Sequence, residues 1–512
     1  MKLIAFLFAV LLSTAVTQAQ DMESLLEGRQ ETQVKRNQDY LSNTIRSFLE
    51  KTTPEQNAFL RSIEGGLWNE ALIQFTPAFK GTTFETTENF QALHALLYFR
   101  VGLTVTGIEE LLAIKDAKKI HFQLVTEWKE SAKEDHPAWN TARLKWGPTW
   151  TEIFGRVIEV RVLSSEVFVK NALSELNELA MKAPVNSKER ALIDWHLVIA
   201  YAINDQADKA AKIMASLLKA THNPVPVELL NLTAARLLYQ NGYFEAAIRY
   251  NDKIPKSSAY YLMAQEEKAW AFLRKGEPQN AAAVTQTLVN PTFHGQVGPE
   301  SFLIRSLAQL KVCDYSAVLE TLKFFPKEFK EKSIYLEKLS EKAVTATPAE
   351  FSIKNRLMPK AVLVDEKFRQ LLQAETLFQQ EVKVSDELYT KSLQLTGLQA
   401  AFDRLKNQAG QRYQQAKSNS YARVQELARV ELAEIKKTLN KLHIVEAEVI
   451  QQVQKTDRFK AQLKDDLKAK VGTTGSVAKD TLKFPMEKEF WFDELANYRV
   501  DFKKGCQARR TE

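Results

Sequence analysis

The sequence predicts an all-α chain. It reads as a solenoid of stacked α-α hairpins, then a long antiparallel helical pair, then a docked C-terminal tail. Three observations carry that reading. A phrase recurs in register around Asp205, Gly242, Gly276 and Cys313, at intervals of 37, 34 and 37 residues. Only 17 Gly and 15 Pro occur in 512 residues, few for a loop-rich or β-rich protein. No proline falls between Lys360 and Phe484, where Leu, Gln, Lys, Glu and Ala dominate.

The chain opens with a targeting segment. Lys2 precedes the apolar run Leu3–Leu12, and Thr17-Gln18-Ala19 offers small residues where signal peptidase needs them. A signal peptide over 1–19, cleaved after Ala19, is expected, with a periplasmic mature protein. The run is too short to cross a bilayer, and no other stretch approaches a span, so no transmembrane anchor is expected.

Residues 20–190 read as helical with degenerate repeats. Gly66 and Gly102 echo the register, and Gly107 follows five residues after Gly102. The turns between 108 and 190 cannot be placed. This stretch holds Trp128, Trp139, Trp146 and Trp150. They suit either knobs packed between hairpins or an aromatic platform for a sugar or peptide.

Residues 191–350 hold the clear repeats. Small or apolar residues recur five after each marker, at Ala210, Ala247, Ala281 and Val318, where two helices cross closely. Pro224, Pro255, Pro291 and Pro326 are expected to punctuate hairpin exits. A period near 34 with this layout resembles the tetratricopeptide repeat (TPR). That resemblance implies binding on a face lined by the first helices, so residues around Tyr201, Leu238 and Phe272 form the candidate partner-binding face.

Residues 351–471 read as the long pair, with helices over 361–408 and 419–470 and a reversal at Gly410 and Lys417–Ser420. Tyr421, Val424, Ala428, Leu432, Ile435, Leu439, Leu442, Val449 and Val453 step mostly by three and four, a heptad-like seam. Within 472–512, Gly472–Ser476 reads as a flexible link. The aromatics at 484, 490, 491 and 492, then Tyr498, are expected to dock on the helices.

Chemistry is largely missing from the sequence. The 7 His never stand four apart, and two Cys make no zinc ribbon. No nucleophile elbow or phosphate loop occurs, and Ser476-Val477-Ala478-Lys479 lacks the companion motifs of Ser-x-x-Lys enzymes. No catalytic, cofactor-binding or metal residue is assigned, and no cofactor or nucleic acid is expected. Formal net charge is +7. A basic excess in 401–470 leaves anionic envelope polymers as a second class of partner.

A closer resemblance rests on Ala246–Pro255, Glu267–Phe272, Cys313-Asp314-Tyr315 and Trp491–Leu495. Over these residues the chain resembles exported TPR proteins of myxobacteria and Bdellovibrio-type predators, several of them linked to adventurous gliding. The resemblance implies a non-enzymatic periplasmic scaffold that binds protein partners in an envelope assembly. A second reading is a binder of peptidoglycan or another envelope polymer through Trp-rich and basic surfaces. Export also makes a disulfide between Cys313 and Cys506, the only two cysteines, the expected state.

Overall fold

The computed structural model describes residues 38–49, 51–141, 148–155, 173–221, 223–290, 293, 295–342, 356–394, 397–454, 470–473 and 498–501. The expected signal peptide over 1–19, Trp146, the aromatics at 484–492 and Cys506 lie outside them. The helices are α1 (38–47), α2 (Pro54–Glu64), α3 (Trp68–Phe79), α4 (Glu88–Val101), α5 (Thr104–Leu112), α6 (Phe122–Ser131), α7 (Ala138–Thr141), α8 (Pro148–Phe154), α9 (Leu173–Lys182), α10 (Lys188–Ile203), α11 (Ala207–Leu217), α12 (Val227–Gln240), α13 (Phe244–Asn251), α14 (Tyr261–Lys275), α15 (Pro278–Leu288), α16 (Glu300–Lys311), α17 (Tyr315–Ser340), α18 (Glu366–Ser392) and α19 (Gln399–Gln454).

All four repeat markers are hairpin turns with left-handed backbone: Asp205 at φ 56, Gly242 at 80, Gly276 at 90 and Cys313 at 60. Gly66 and Gly102 share the conformation, at φ 67 and 103. In each clear repeat the residue after the marker returns its N–H to the carbonyl five back. The bonds are Gln206 to Tyr201 at 2.9 Å, Tyr243 to Leu238 at 2.9 Å, Glu277 to Phe272 at 2.9 Å and Asp314 to Gln309 at 3.0 Å. This closure satisfies carbonyls that a helix end leaves unpaired, and it requires the left-handed residue. The recurring phrase is therefore a recurring C-cap.

Helix starts are equally local in origin. Thr53 and Gln56 form a reciprocal capping box ahead of Pro54. Thr87, Ser187 and Asp314 cap α4, α10 and α17 with side-chain oxygens.

The chain divides into two compact units. The first comprises Met1–Glu166 with Gln373–Ala416. Its core is rich in Phe: Phe59, Phe75 and Phe79 pack ring against ring at 5.2–5.8 Å. Gly107 lets α5 cross α4, because a Cβ there would meet the Ala95 carbonyl oxygen at 2.7 Å and the Phe99 nitrogen at 2.8 Å. The Glu381 carboxylate is wholly buried and receives the Val105 N–H at 2.7 Å, the Thr106 N–H at 3.0 Å and the Thr106 hydroxyl at 2.9 Å. It thus caps α5 from α18. Burial pushes its carboxyl above the ordinary range, and the three donors oppose that shift.

The second unit comprises Val167–Leu372 with Lys417–Glu512. Here α10 to α17 form consecutive hairpins, a TPR-like α-α solenoid. Ala210, Ala247, Ala281 and Val318, the predicted crossing residues, are each at most 1% exposed. The heptad-like seam packs Val424, Ala428, Leu432, Ile435, Leu442 and Val449 into one core with Phe325, Phe329 and Leu336 of α17. At that contact Lys332 and Glu431 pair at 2.7 Å, both under 5% exposed.

Three expectations are corrected. First, α19 runs unbroken through Gly410 and Ser418–Ser420, and the reversal lies near Gly397, at φ 88. The buried stripe Ala409, Ala416, Ser420, Val424 continues across the predicted bend, and its burial outweighs the roughly 1 kcal/mol cost of one helical glycine. Ion pairs Asp386–Lys406 at 3.0 Å and Asp365–Arg423 at 2.6 Å mark α18 and α19 as antiparallel partners within the chain. Second, Pro326 lies inside α17 instead of ending it. The flanking Phe325 and Phe329, 1% and 5% exposed, gain more from burial than one lost backbone bond costs. Third, Gly472 and Thr473 belong to a strand, β1 (Lys470–Thr473), paired antiparallel with β2 (Tyr498–Asp501). Tyr498 and Val500, two apart and so on one face, are buried with Ala281 and Ala282 of α15.

Candidate functional site

The repeats of the second unit enclose a cleft of about 500 Å³, lined mainly by α12, α13 and α14 with Glu300 and Lys441. Its floor follows from the repeat pattern. Ala247 is a predicted crossing residue and Ala235 lies seven residues before the Gly242 marker; each is 1% exposed, and their small side chains leave room above them. Larger groups form the walls: Tyr239, Trp270, and the Arg236–Glu267 ion pair at 2.6 Å. Burial raises the Glu267 carboxyl above its ordinary range while Arg236 pulls it down. Burial likewise raises the Tyr239 phenol.

Asn251 is the notable polar group in this lining. It is 1% exposed, and its side-chain oxygen has no hydrogen-bond partner among the described residues. A buried acceptor left unmade costs about 1–3 kcal/mol, so the cleft offers a docked N–H a favourable partner.

Tyr201, Leu238 and Phe272 occupy one equivalent slot, supplying the carbonyls that close successive turns. All three are half-buried. None lines the cleft, but Arg236 and Gln240 flank Leu238, and Trp270 lies two residues before Phe272. Tyr201 instead donates its hydroxyl to Asn177 at 3.2 Å, with the Lys209 ammonium 5.5 Å from its ring. The cleft's polar residues were not legible in sequence. Asn251 follows Tyr250 as the last residue of α13, and nothing in the sequence distinguishes it from any helix-terminal Asn.

The aromatic platform is not formed by the described tryptophans. Trp128 and Trp139 are fully buried and Trp150 is 5% exposed. Trp128 donates to the Ala92 carbonyl at 3.1 Å and Trp139 to the Lys133 carbonyl at 3.1 Å. They are packing knobs with satisfied indoles. Cys313 sits 8% exposed at its turn. Among the described residues no group of three or more His, Cys, Asp or Glu is placed to hold a metal ion, and no helix is long and apolar enough to cross a membrane.

No protein-family model and no curated protein matches the sequence. Among solved structures, the crystal structure of the apo form of RapI is similar, with 15% identity and a TM-score of 0.30, over 70% of this chain and 98% of that one. A likeness that low carries no argument. The TPR-like assignment rests on the repeated turns and crossings themselves.

Proposed function

We propose that the chain is a non-enzymatic scaffold whose repeats hold a segment of a protein partner in the cleft between α12 and α14. The observation that carries this reading is the unpartnered Asn251 acceptor beside Tyr239 and Trp270. An apolar cleft with a few fixed polar groups suits a peptide, whose backbone N–H satisfies Asn251 while its side chains cover the rings. A photo-crosslinker placed at exposed Gln240 tests it. The expected product is an adduct of discrete mass that Trp270→Ala removes and muramidase leaves unchanged. A mass ladder that collapses with muramidase would transfer the role to an envelope polymer. No adduct at all would refute the cleft as a binding site.

The exported reading belongs to the same proposal. It has the chain cleaved after Ala19 and acting in a periplasmic envelope assembly, adventurous gliding being one such assembly. The Leu3–Leu12 run supports it, and a mature N-terminus at Gln20 is the expected result of N-terminal sequencing. Export favours the Cys313–Cys506 bond. Cys506 follows Asp501 by five residues, a reach of roughly 17 Å when extended, and β2 packs on the hairpin preceding Cys313.

A further inference from the structure

A second cleft, of about 320 Å³, lies where α15, α16 and α17 meet, lined by Gln286, Asn290, Phe302, Arg305, Thr321 and Phe324, with Glu320 at its edge. Its distinctive group is Arg305. Its side chain is half-buried, and burial lowers its pKa while the Glu320 and Asp314 carboxylates oppose that shift. Two neutral amides orient it. Nη1 donates to the Gln286 oxygen at 2.9 Å. Nε donates at 3.2 Å to the oxygen of Gln309, whose amide nitrogen in that orientation donates to the Thr321 hydroxyl at 3.1 Å and the Ala317 carbonyl at 3.2 Å. Nη2 has no hydrogen-bond partner among the described residues, and no described carboxylate lies within ion-pair distance.

Glu320 and Asp314 favour its charged form, but neither pairs with it directly. Glu320 is exposed, so solvent screens its charge. Asp314 is 3% exposed, and its Oδ1 caps the start of α17, accepting from the Ala317 N–H at 3.2 Å and the Ser316 hydroxyl at 3.1 Å, so it reaches Arg305 through its charge and not through a hydrogen bond. A half-buried guanidinium whose nearest carboxylates act on it only at a distance gains a direct partner from an anion that enters the cleft. Beside it, the Phe302 and Phe324 rings stack with centroids 6.1 Å apart, and Phe324 is 41% exposed. One wall is cationic and forked, the other flat and apolar.

We infer that this cleft binds a carboxylate carried next to an apolar or aromatic group. The carboxylate pairs with Arg305 through the free guanidinium donors, and the apolar group lies against Phe324. The ligand is either a small aromatic acid or the C-terminal residue of a peptide. The site is separate from the α12–α14 cleft, and its test does not depend on that proposal.

The test is calorimetric titration of the full chain with N-acetylphenylalanine, its amide, and the tripeptide Ala-Ala-Phe. The acid should bind with a dissociation constant on the order of 1 mM, in keeping with its size. The amide, lacking the carboxylate, should bind about 10-fold more weakly or worse. Tighter binding of Ala-Ala-Phe than of the acid identifies a peptide C-terminus as the source, and equal binding identifies a small acid. Arg305→Gln should abolish binding of the acid. Glu320→Gln should tighten it about two- to threefold, by removing a like-charged neighbour of the ligand without touching the guanidinium's supports. The comparison of acid with amide needs no variant, so a folding defect in Arg305→Gln cannot shelter the idea. Equal binding of acid and amide, or binding retained in a folded Arg305→Gln, overturns it. Inorganic phosphate displacing the acid at lower concentration than the acid itself also overturns it, in favour of a phosphate site.

Discussion

Replacing Gly242 and Gly107 in turn separates two reasons for a glycine, and the structure predicts opposite rankings of the same substitutions. Gly242 holds φ 80, and a Cβ built there meets nothing within 4 Å. Alanine therefore adds no clash, only the left-handed penalty of roughly 1–2 kcal/mol. Restricting the unfolded chain returns about 0.4–1 kcal/mol, so Gly242→Ala should cost about 1 kcal/mol net. Asparagine tolerates the left-handed region better, so Gly242→Asn should cost less than Gly242→Ala although Asn is larger. Gly107 has ordinary helical backbone, but a Cβ there falls 2.7 Å from the Ala95 carbonyl oxygen. Gly107→Ala must part α4 from α5, at roughly 1–3 kcal/mol, and Gly107→Asn must do worse. Hydrogen exchange read by mass spectrometry resolves each hairpin separately, which matters because two units need not unfold together. Protection across 227–251 reports the first pair of variants and protection across 88–112 the second. If Asn costs as much as Ala at 242, or less than Ala at 107, the distinction between backbone strain and crowding is wrong.

Ala247→Leu and Ala281→Leu should each overpack a helix crossing and lower stability by roughly 1–3 kcal/mol, and urea unfolding at wild-type level for both would remove these sites as close crossings. Glu431→Gln leaves the Lys332 ammonium buried without its partner and should cost about 3–5 kcal/mol, whereas Lys332→Met with Glu431→Leu should cost less, about 1–3 kcal/mol for the Lys360 N–H that Glu431 also accepts at 2.6 Å; equal losses would show that packing, not charge, governs the site. His196 is held neutral by burial, its pKa pushed down to about 4 from 6.5. Between those values the unfolded chain takes up a proton that the folded chain refuses, so stability falls as pH falls through that window, and His196→Gln should flatten that part of the profile. Non-reduced mass spectrometry of exported protein should find Cys313 joined to Cys506, closing a loop for which chain entropy gives at most about 5 kcal/mol; two free thiols would end that proposal.

The hairpin turns were legible because their determinant is local. A left-handed residue closing a helix favours Gly, Asn or Asp at a fixed place, with Cys313 the exception, and crossing residues are mostly small, so both leave a periodic trace. The long helices were harder to read. Gly410 and Ser418–Ser420 look like a bend because their propensities are poor, yet that local cost is about 1 kcal/mol each at most. The stripe through Ala409, Ala416, Ser420 and Val424 decides the matter through burial against elements far away in sequence. Pro326 was misread for the same reason. Where tertiary burial exceeds a local penalty of a few kcal/mol, breakers cease to be boundaries.

The sites were harder still, because they depend on what is missing around a residue. Arg305 has the composition of any amphipathic helix position, and Asn251 that of any helix end. What sets them apart among the described residues is that no carboxylate pairs directly with one and no donor reaches the other, and such gaps leave no mark on one strand of sequence. Both residues line clefts between helices of the repeats. The repeat period thus marks the floor of the α12–α14 cleft, at Ala235 and Ala247, while the polar residues that line each cleft set its chemistry. Substituting the border residues while leaving the crossings untouched should therefore alter what binds without altering whether the hairpins stack. The reverse substitutions, at Ala235 or Ala247, should close the α12–α14 cleft and destabilise its hairpin together.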